Sequence, residues 1–210
     1  MAHQALSGWA YATFIYKSYL TVTHPSQAQL LILTRFHISS STMASGVIID
    51  LQSLLRTAPL ATSTGSLVLA TSELIFYSGL VQPSIRKKSN SILAEYWRYI
   101  FPRGVSLVLA LNITTIGTSL CNIFLKDPHS RPLLVSRTTL YWAGLIGAIG
   151  HLTFVPFVAP PIQRILDNDD PEAETSKEMD IWLGLHRIRM VVADIPAWLA
   201  FVGAAMLTDR

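Results

Sequence analysis

Six polar residues stand inside stretches that are otherwise built of apolar side chains: Glu73, Asn112, His151, His186, Arg189 and Asp194. A charge or strong dipole withdrawn from water costs several kcal/mol unless it is paired, so each such residue is a candidate for function. Trp182, His186 and Arg189 fall at i, i+4 and i+7 and therefore share one helix face. A neutral imidazole accepts a proton near physiological pH. A guanidinium stays charged and stabilises a developing oxyanion. A tryptophan one turn away offers a flat apolar wall to an aromatic ligand. Asp194 lies five residues beyond Arg189, off that stripe by α-helical spacing, so its partner is expected on another helix, or its carboxyl is held neutral.

The same residues carry plainer readings. Trp182 with Arg187 and Arg189 also fits an interfacial aromatic belt beside snorkelling cations. Asn112 alone reads as an interhelical hydrogen bond. Glu73, His151 and His186 would make a two-histidine, one-carboxylate iron site, but no two of them have a local ligand spacing and three helices would have to converge. The group as a whole, two histidines, an arginine and two carboxylates, exceeds what packing requires and points to a pocket, with Trp182, Glu73, Asn112 and Asp194 around a substrate.

Elements that could position these groups are visible as long apolar runs. Half of the 210 residues are apolar and 14% are charged, against about a quarter charged in an ordinary soluble domain. Crossing a hydrocarbon core of roughly 30 Å takes about 20 helical residues. Four segments meet that length: Thr64–Ile85, Gly104–Leu125, Thr138–Pro160 and Ile181–Leu207. Arg86-Lys87-Lys88, Lys126-Asp127-Pro128 and Asp167-Asn168-Asp169-Asp170-Pro171 separate them. The fold class expected is all-α, an integral membrane four-helix bundle over residues 59–210, multi-pass in an intracellular membrane with the lipid bilayer as its surroundings. Arg86, Lys87, Lys88, Arg98 and Arg103 outnumber Lys126, Arg131, Arg137 and Arg56, which favours the first group as cytoplasmic.

A net charge of +3 spread over loops gives no basic stripe for nucleic acid. The single cysteine, Cys121, excludes a disulfide framework and a thiolate zinc site, and its apolar surroundings suit a small packed hydrophobe. Residues 1–58 form an N-terminal segment of weaker pattern. Leu6–Leu20 is apolar but short and carries Lys17, without the marks of a signal peptide, while Val47–Leu55 suits an interfacial amphipathic helix. The spanning pattern lies wholly after Met43, which reads as an alternative start. Oligomeric state is not legible.

Three stretches resemble motifs of the anthrone oxygenase family. Trp182-Leu183-Gly184-Leu185-His186-Arg187-Ile188-Arg189 is similar to its W-x-x-[LM]-[NH]-x-x-R. Trp97-Arg98-Tyr99-Ile100-Phe101-Pro102-Arg103-Gly104 looks like its W-x-x-[IM]-[YF]-x-x-G, and Pro156-Phe157 with Pro160-Pro161-Ile162-Gln163 resembles its P-F then P-x-N, glutamine standing where the family has asparagine. The resemblance runs from about Gly65 to Thr208 and is nearest to the branch that serves aflatoxin-type pathways. It implies a monooxygenase of secondary metabolism that oxidises a polyketide anthrone to an anthraquinone with molecular oxygen and no metal or flavin. In that setting His186 is the expected base, Arg189 holds the enolate oxygen, and His151 is an alternative base or proton shuttle. Trp182 and Trp97 line the pocket. A polyketide cyclase or isomerase of the same fold, and a non-enzymatic scaffold or transporter, use the same elements.

Overall fold

The structure, a computed structural model, describes residues 51–124, 136–170 and 174–207. The readings of Leu6–Leu20, Met43 and Lys126-Asp127-Pro128 lie outside the described residues. Every regular element among the described residues is helical. Helix α1 spans Leu51–Leu80, α2 Arg86–Phe124, α3 Arg137–Thr153, α4 Val155–Leu166, α5 Thr175–Arg189 and α6 Ile195–Met206, with a π-helical turn at Met190–Asp194 between the last two. Helices α3 and α4 together make one bent rod, as do α5 and α6, so the architecture is four long helical stretches.

Three of these stretches are long and apolar enough to cross a membrane: Arg86–Phe124, Arg137–Leu166 and Thr175–Met206. The expected fourth span at Thr64–Ile85 does not qualify. Helix α1 has the length, at 30 residues, but Thr62, Ser63, Thr64, Ser66, Thr71, Ser72 and Glu73 lower its apolarity. Its hydroxyls are turned back onto the helix itself: Thr62 donates to the Ala58 carbonyl at 2.9 Å, Thr64 to Leu60 at 2.7 Å, Thr71 to Leu67 at 2.8 Å and Ser72 to Val68 at 2.8 Å. This back-bonding gives each hydroxyl proton an acceptor on its own helix, while Thr62 also meets the Thr115 hydroxyl at 2.7 Å and Thr64 accepts from Trp198 Nε1 at 2.9 Å. The helix also starts at Leu51, so residues 51–58 continue into α1.

Helix α2 has 39 residues, roughly 58 Å at 1.5 Å per residue, well beyond a hydrocarbon core. Its first turns therefore overhang the apolar part, and there they staple the connection between α4 and α5. Arg98 donates from Nε to the Leu166 carbonyl at 2.8 Å and from Nη2 to the Asn168 carbonyl at 2.9 Å, and pairs with Asp169 at 2.6 Å. Arg86 binds the Ser176 hydroxyl at 2.8 Å and pairs with Asp180. Two cations of the richer basic group are thus engaged, Arg98 by the acidic connection and Arg86 by the start of α5. Cys121 is exposed on the outer face of α2, where the expectation had it packed inside.

Prolines shape the two bent rods. Pro156 has no N–H to return to the Leu152 carbonyl, and α3 gives way to α4 at Phe154. Pro196 likewise leaves the Val192 carbonyl without its donor. The chain answers with a wider turn, in which the Ile195 N–H reaches back five residues to the Met190 carbonyl.

Small residues then bring α3 against this turn and against α6. A Cβ on Gly147 would lie 2.7 Å from the Ala197 Cβ and 2.9 Å from the Ala193 carbonyl oxygen, and one on Gly144 would collide with the Phe201 ring. Both glycines are needed for the close approach, as small residues are at helix interfaces in lipid. Tyr141, Ala197, Phe201 and Ala204 form the packed cluster below. Gly147→Leu is expected to lower stability by about 1–3 kcal/mol, read as thermal unfolding in detergent. Gly184→Ala, with open space around it, is expected to be neutral or stabilising. Equal losses at both positions would show that the close approach does not matter.

Candidate active site

Midway along the bundle four of the six polar residues form one buried chain of hydrogen bonds. Asp194, on the π turn, sits between His151 of α3 and Arg189 of α5. Its Oδ1 accepts from His151 Nδ1 at 2.8 Å, and its Oδ2 accepts from Arg189 Nε at 3.4 Å. Arg189 Nη2 donates to His186 Nδ1 at 3.0 Å, and His186 Nε2 donates to the Ala70 carbonyl of α1 at 2.9 Å. Side-chain exposure is 7% for His151, 8% for Asp194, 10% for Arg189 and 0% for His186. A carboxylate shared by a guanidinium and an imidazole is the kind of pairing that lets charge persist at such depth.

The partners fix protonation at His186. A guanidinium only donates, so Nδ1 must be the acceptor; a carbonyl only accepts, so Nε2 must carry the proton. The ring is therefore neutral with both nitrogens engaged. His151 differs. Its Nδ1 faces the carboxylate, and no described residue hydrogen-bonds to its Nε2. The arrangement leaves one oriented imidazole nitrogen without a described partner, and Arg189 Nη1 likewise donates to no described residue.

The remaining sequence candidates lie around this chain. Glu73 places Oε2 4.0 Å from His186 Nε2, beyond hydrogen-bond range, and its side chain keeps 20% exposure. Asn112 donates from Nδ2 to the Ala148 carbonyl at 3.2 Å, one turn before His151, and its buried Oδ1 meets no donor among the described residues. Trp182 stacks on His186, with centroids 4.7 Å apart and planes at 22°. Trp97 meets Trp182 edge to face at 5.2 Å and Tyr77 at 5.4 Å, while Phe101 stacks on its other side at 5.6 Å. With Trp97 at 1% and Trp182 at 6% exposure, the two indoles fill the space between α1, α2 and α5 and pack against one another. Among the described residues no three His, Cys, Asp or Glu side chains gather as a metal ion would need, so Glu73, His151 and His186 do not converge as a ligand set.

Two features were missed at the level of sequence. Tyr77, one turn beyond Glu73 on α1, belongs to the aromatic group and meets Trp182 at 5.5 Å; its i+4 spacing from Glu73 was the available signal. The π turn was the other. In a straight α-helix residue i+5 points away from residue i, but the wider turn returns Asp194 to the side of Arg189, and Pro196 was the clue.

No family model matches the chain, and no solved structure does. Curated proteins do. The chain is 29% identical over 153 residues to a probable epoxidase, scpX, of Mollisia scopiformis, a match covering 73% of this chain and 94% of that protein. It is 28% identical over 153 residues to the epoxidase pydX of an Acremonium species, covering 73% and 93%. It is 26% identical over 157 residues to the epoxidase gkaX of Penicillium citrinum, again covering 73% and 93%. These relatives are epoxidases by name. None of the three bears the name of an anthrone oxygenase.

Removing Asp194 strands a buried guanidinium and leaves His151 unheld. Asp194→Ala is expected to cost about 3–5 kcal/mol, measured by thermal unfolding in detergent. Asp169→Ala, which opens an ion pair whose carboxylate side chain is 87% exposed, is expected to cost no more than about 1 kcal/mol. Similar shifts for the two variants would count against a buried network that depends on Asp194.

Proposed function

We propose that this chain is a membrane-embedded monooxygenase acting on an electron-rich, hydroxylated aromatic of polyketide type, with molecular oxygen as co-substrate and no metal or flavin. The observation that supports it most is the His151–Asp194 pair. An imidazole held by a buried carboxylate, with its second nitrogen open, is a general base placed inside an apolar bundle. His151 takes that role in preference to His186, whose only acceptor nitrogen is occupied by Arg189. His186 then positions the guanidinium, and Arg189 Nη1 stabilises the oxyanion formed when the substrate loses its proton.

One sequence of steps serves both products that the observations favour. His151 Nε2 removes a proton, from a phenol O–H or from an acidic C–H flanked by aromatic rings. The resulting anion gives one electron to oxygen, and the radical pair recombines to form a C–O bond and a hydroperoxide. Loss of a second substrate proton then drives cleavage of the O–O bond, and that proton leaves with hydroxide as water. In a hydroquinone the released electron pair closes a C–O bond to the neighbouring carbon: hydroquinone plus oxygen gives an epoxyquinone plus water. In an anthrone it forms a carbonyl: anthrone plus oxygen gives an anthraquinone plus water. The substrate supplies both electrons in either case.

The names of the three relatives favour the epoxide-forming branch. The motifs around Trp97, Pro156 and Trp182 favour the anthrone branch, which is the second reading. An intracellular membrane is the setting proposed for both, since the substrate class is apolar and flat.

Membranes expressing the chain, supplied with methylhydroquinone or 1,8-dihydroxyanthrone under isotopically labelled oxygen, are expected to place one labelled atom in the product faster than membranes lacking it. Equal rates in both membranes, after correction for spontaneous air oxidation, would remove the oxygenase reading. Conversion without label would point to a cyclase or isomerase.

A further inference from the structure

Glu73 is a carboxylate of the buried layer that the steps above do not use. No described residue donates a hydrogen bond to its carboxylate, and the His186 Nε2 proton 4.0 Å away is directed instead to the Ala70 carbonyl. Its 20% side-chain exposure stands apart from the 0–10% of His186, His151, Asp194 and Arg189. Across from it, on α2, a Cβ built on Gly104 would lie 3.8 Å from Oε1, in ordinary contact. A longer side chain at 104 would stand in front of the carboxylate, and glycine leaves that approach open. An unpaired carboxylate in apolar surroundings is costly, and this one is more exposed than the four groups of the hydrogen-bonded chain. Structural roles account for it poorly, since it ties no two helices together.

Resting on the monooxygenase reading, we propose that Glu73 is the second proton-handling group, acting when the O–O bond breaks. The hydroperoxide stage needs a base for the remaining substrate proton and a donor to the departing hydroxide. The Glu73 carboxylate takes that proton from carbon in the anthrone case, or from the second phenol oxygen in the hydroquinone case. It passes the same proton to the hydroxide released from the O–O bond. The bond electrons from the lost proton form the carbonyl or the new C–O bond, and water leaves. Glu73 ends as the carboxylate it began as, so no outside reductant or acid enters. His151 serves the first proton and Glu73 the second.

Rapid-quench mass spectrometry alongside oxygen uptake tests this, in membranes carrying the full chain with 1,8-dihydroxyanthrone and methylhydroquinone as probes. Glu73→Gln, of the same shape but without basicity, is expected to leave oxygen uptake within about twofold. Product appearance should slow by about a hundredfold, and a species of substrate mass plus two oxygen atoms should accumulate. Glu73→Asp is expected to restore part of the product rate and clear that species. Oxygen uptake and product falling together in the Gln variant, or neither changing, would overturn the assignment. An unaltered chain that takes up no oxygen above control membranes would overturn the monooxygenase reading itself, and this inference with it.

Discussion

Everything at the centre of this bundle depends on one carboxylate reaching a guanidinium and an imidazole from a place where a regular helix would not put it. Asp194 touches His151 of α3 and Arg189 of α5 at once, and it does so only because the chain between Arg189 and Ile195 runs as a π turn. The cause is local and chemical. Pro196 withdraws a backbone donor, the turn widens to recover a hydrogen bond one residue further back, and the extra residue rotates Asp194 inward. Without that rotation the guanidinium and the imidazole would each be buried without an acidic partner, at a cost of several kcal/mol.

The tight packing of α3 follows from the same constraint. A π turn is bulky, and its Ala193 carbonyl projects toward the neighbouring helix. Gly147 is where that carbonyl is received, and any Cβ there would strike it. The glycine and the proline lie on different rods, yet each is useful only because of the other. His151, one helical turn beyond Gly147, is carried by this approach to within hydrogen-bond distance of Asp194. Ser, Thr and Ala elsewhere on these faces reduce the separation further, as expected where packing and hydrogen bonds, not the expulsion of water, hold helices together.

Much of this was legible in the sequence, and what was not has physical reasons. The stripe of Trp182, His186 and Arg189 could be read because α5 is regular over those residues. The three long apolar stretches could be read because length and composition are additive along the chain. The fourth was over-read: α1 has the length of a span, but its hydroxyls and Glu73 lower its apolarity, and those hydroxyls are met by bonds back to α1 and across to Thr115 and Trp198. Asp194 was placed off the stripe because 3.6-residue spacing was applied across a segment that does not obey it. The order of hydrogen bonds along the chain could not be read, since it depends on which helices meet.

That order decides how the two histidines divide the work. Seen as residue types, His186 and His151 are equivalent candidates for a base, and the motif around Trp182 favours His186. Seen with their partners, they are not equivalent. His186 has spent its lone pair on Arg189 and its proton on Ala70, which makes it a spacer of fixed tautomer holding a guanidinium at a set height. His151 has spent only its proton-bearing side, on a carboxylate, and its opposite nitrogen has no partner among the described residues. The same side chain becomes scaffold or base according to whether its neighbour is a donor or an acceptor, and in this bundle the neighbours are chosen by a proline two residues past Asp194.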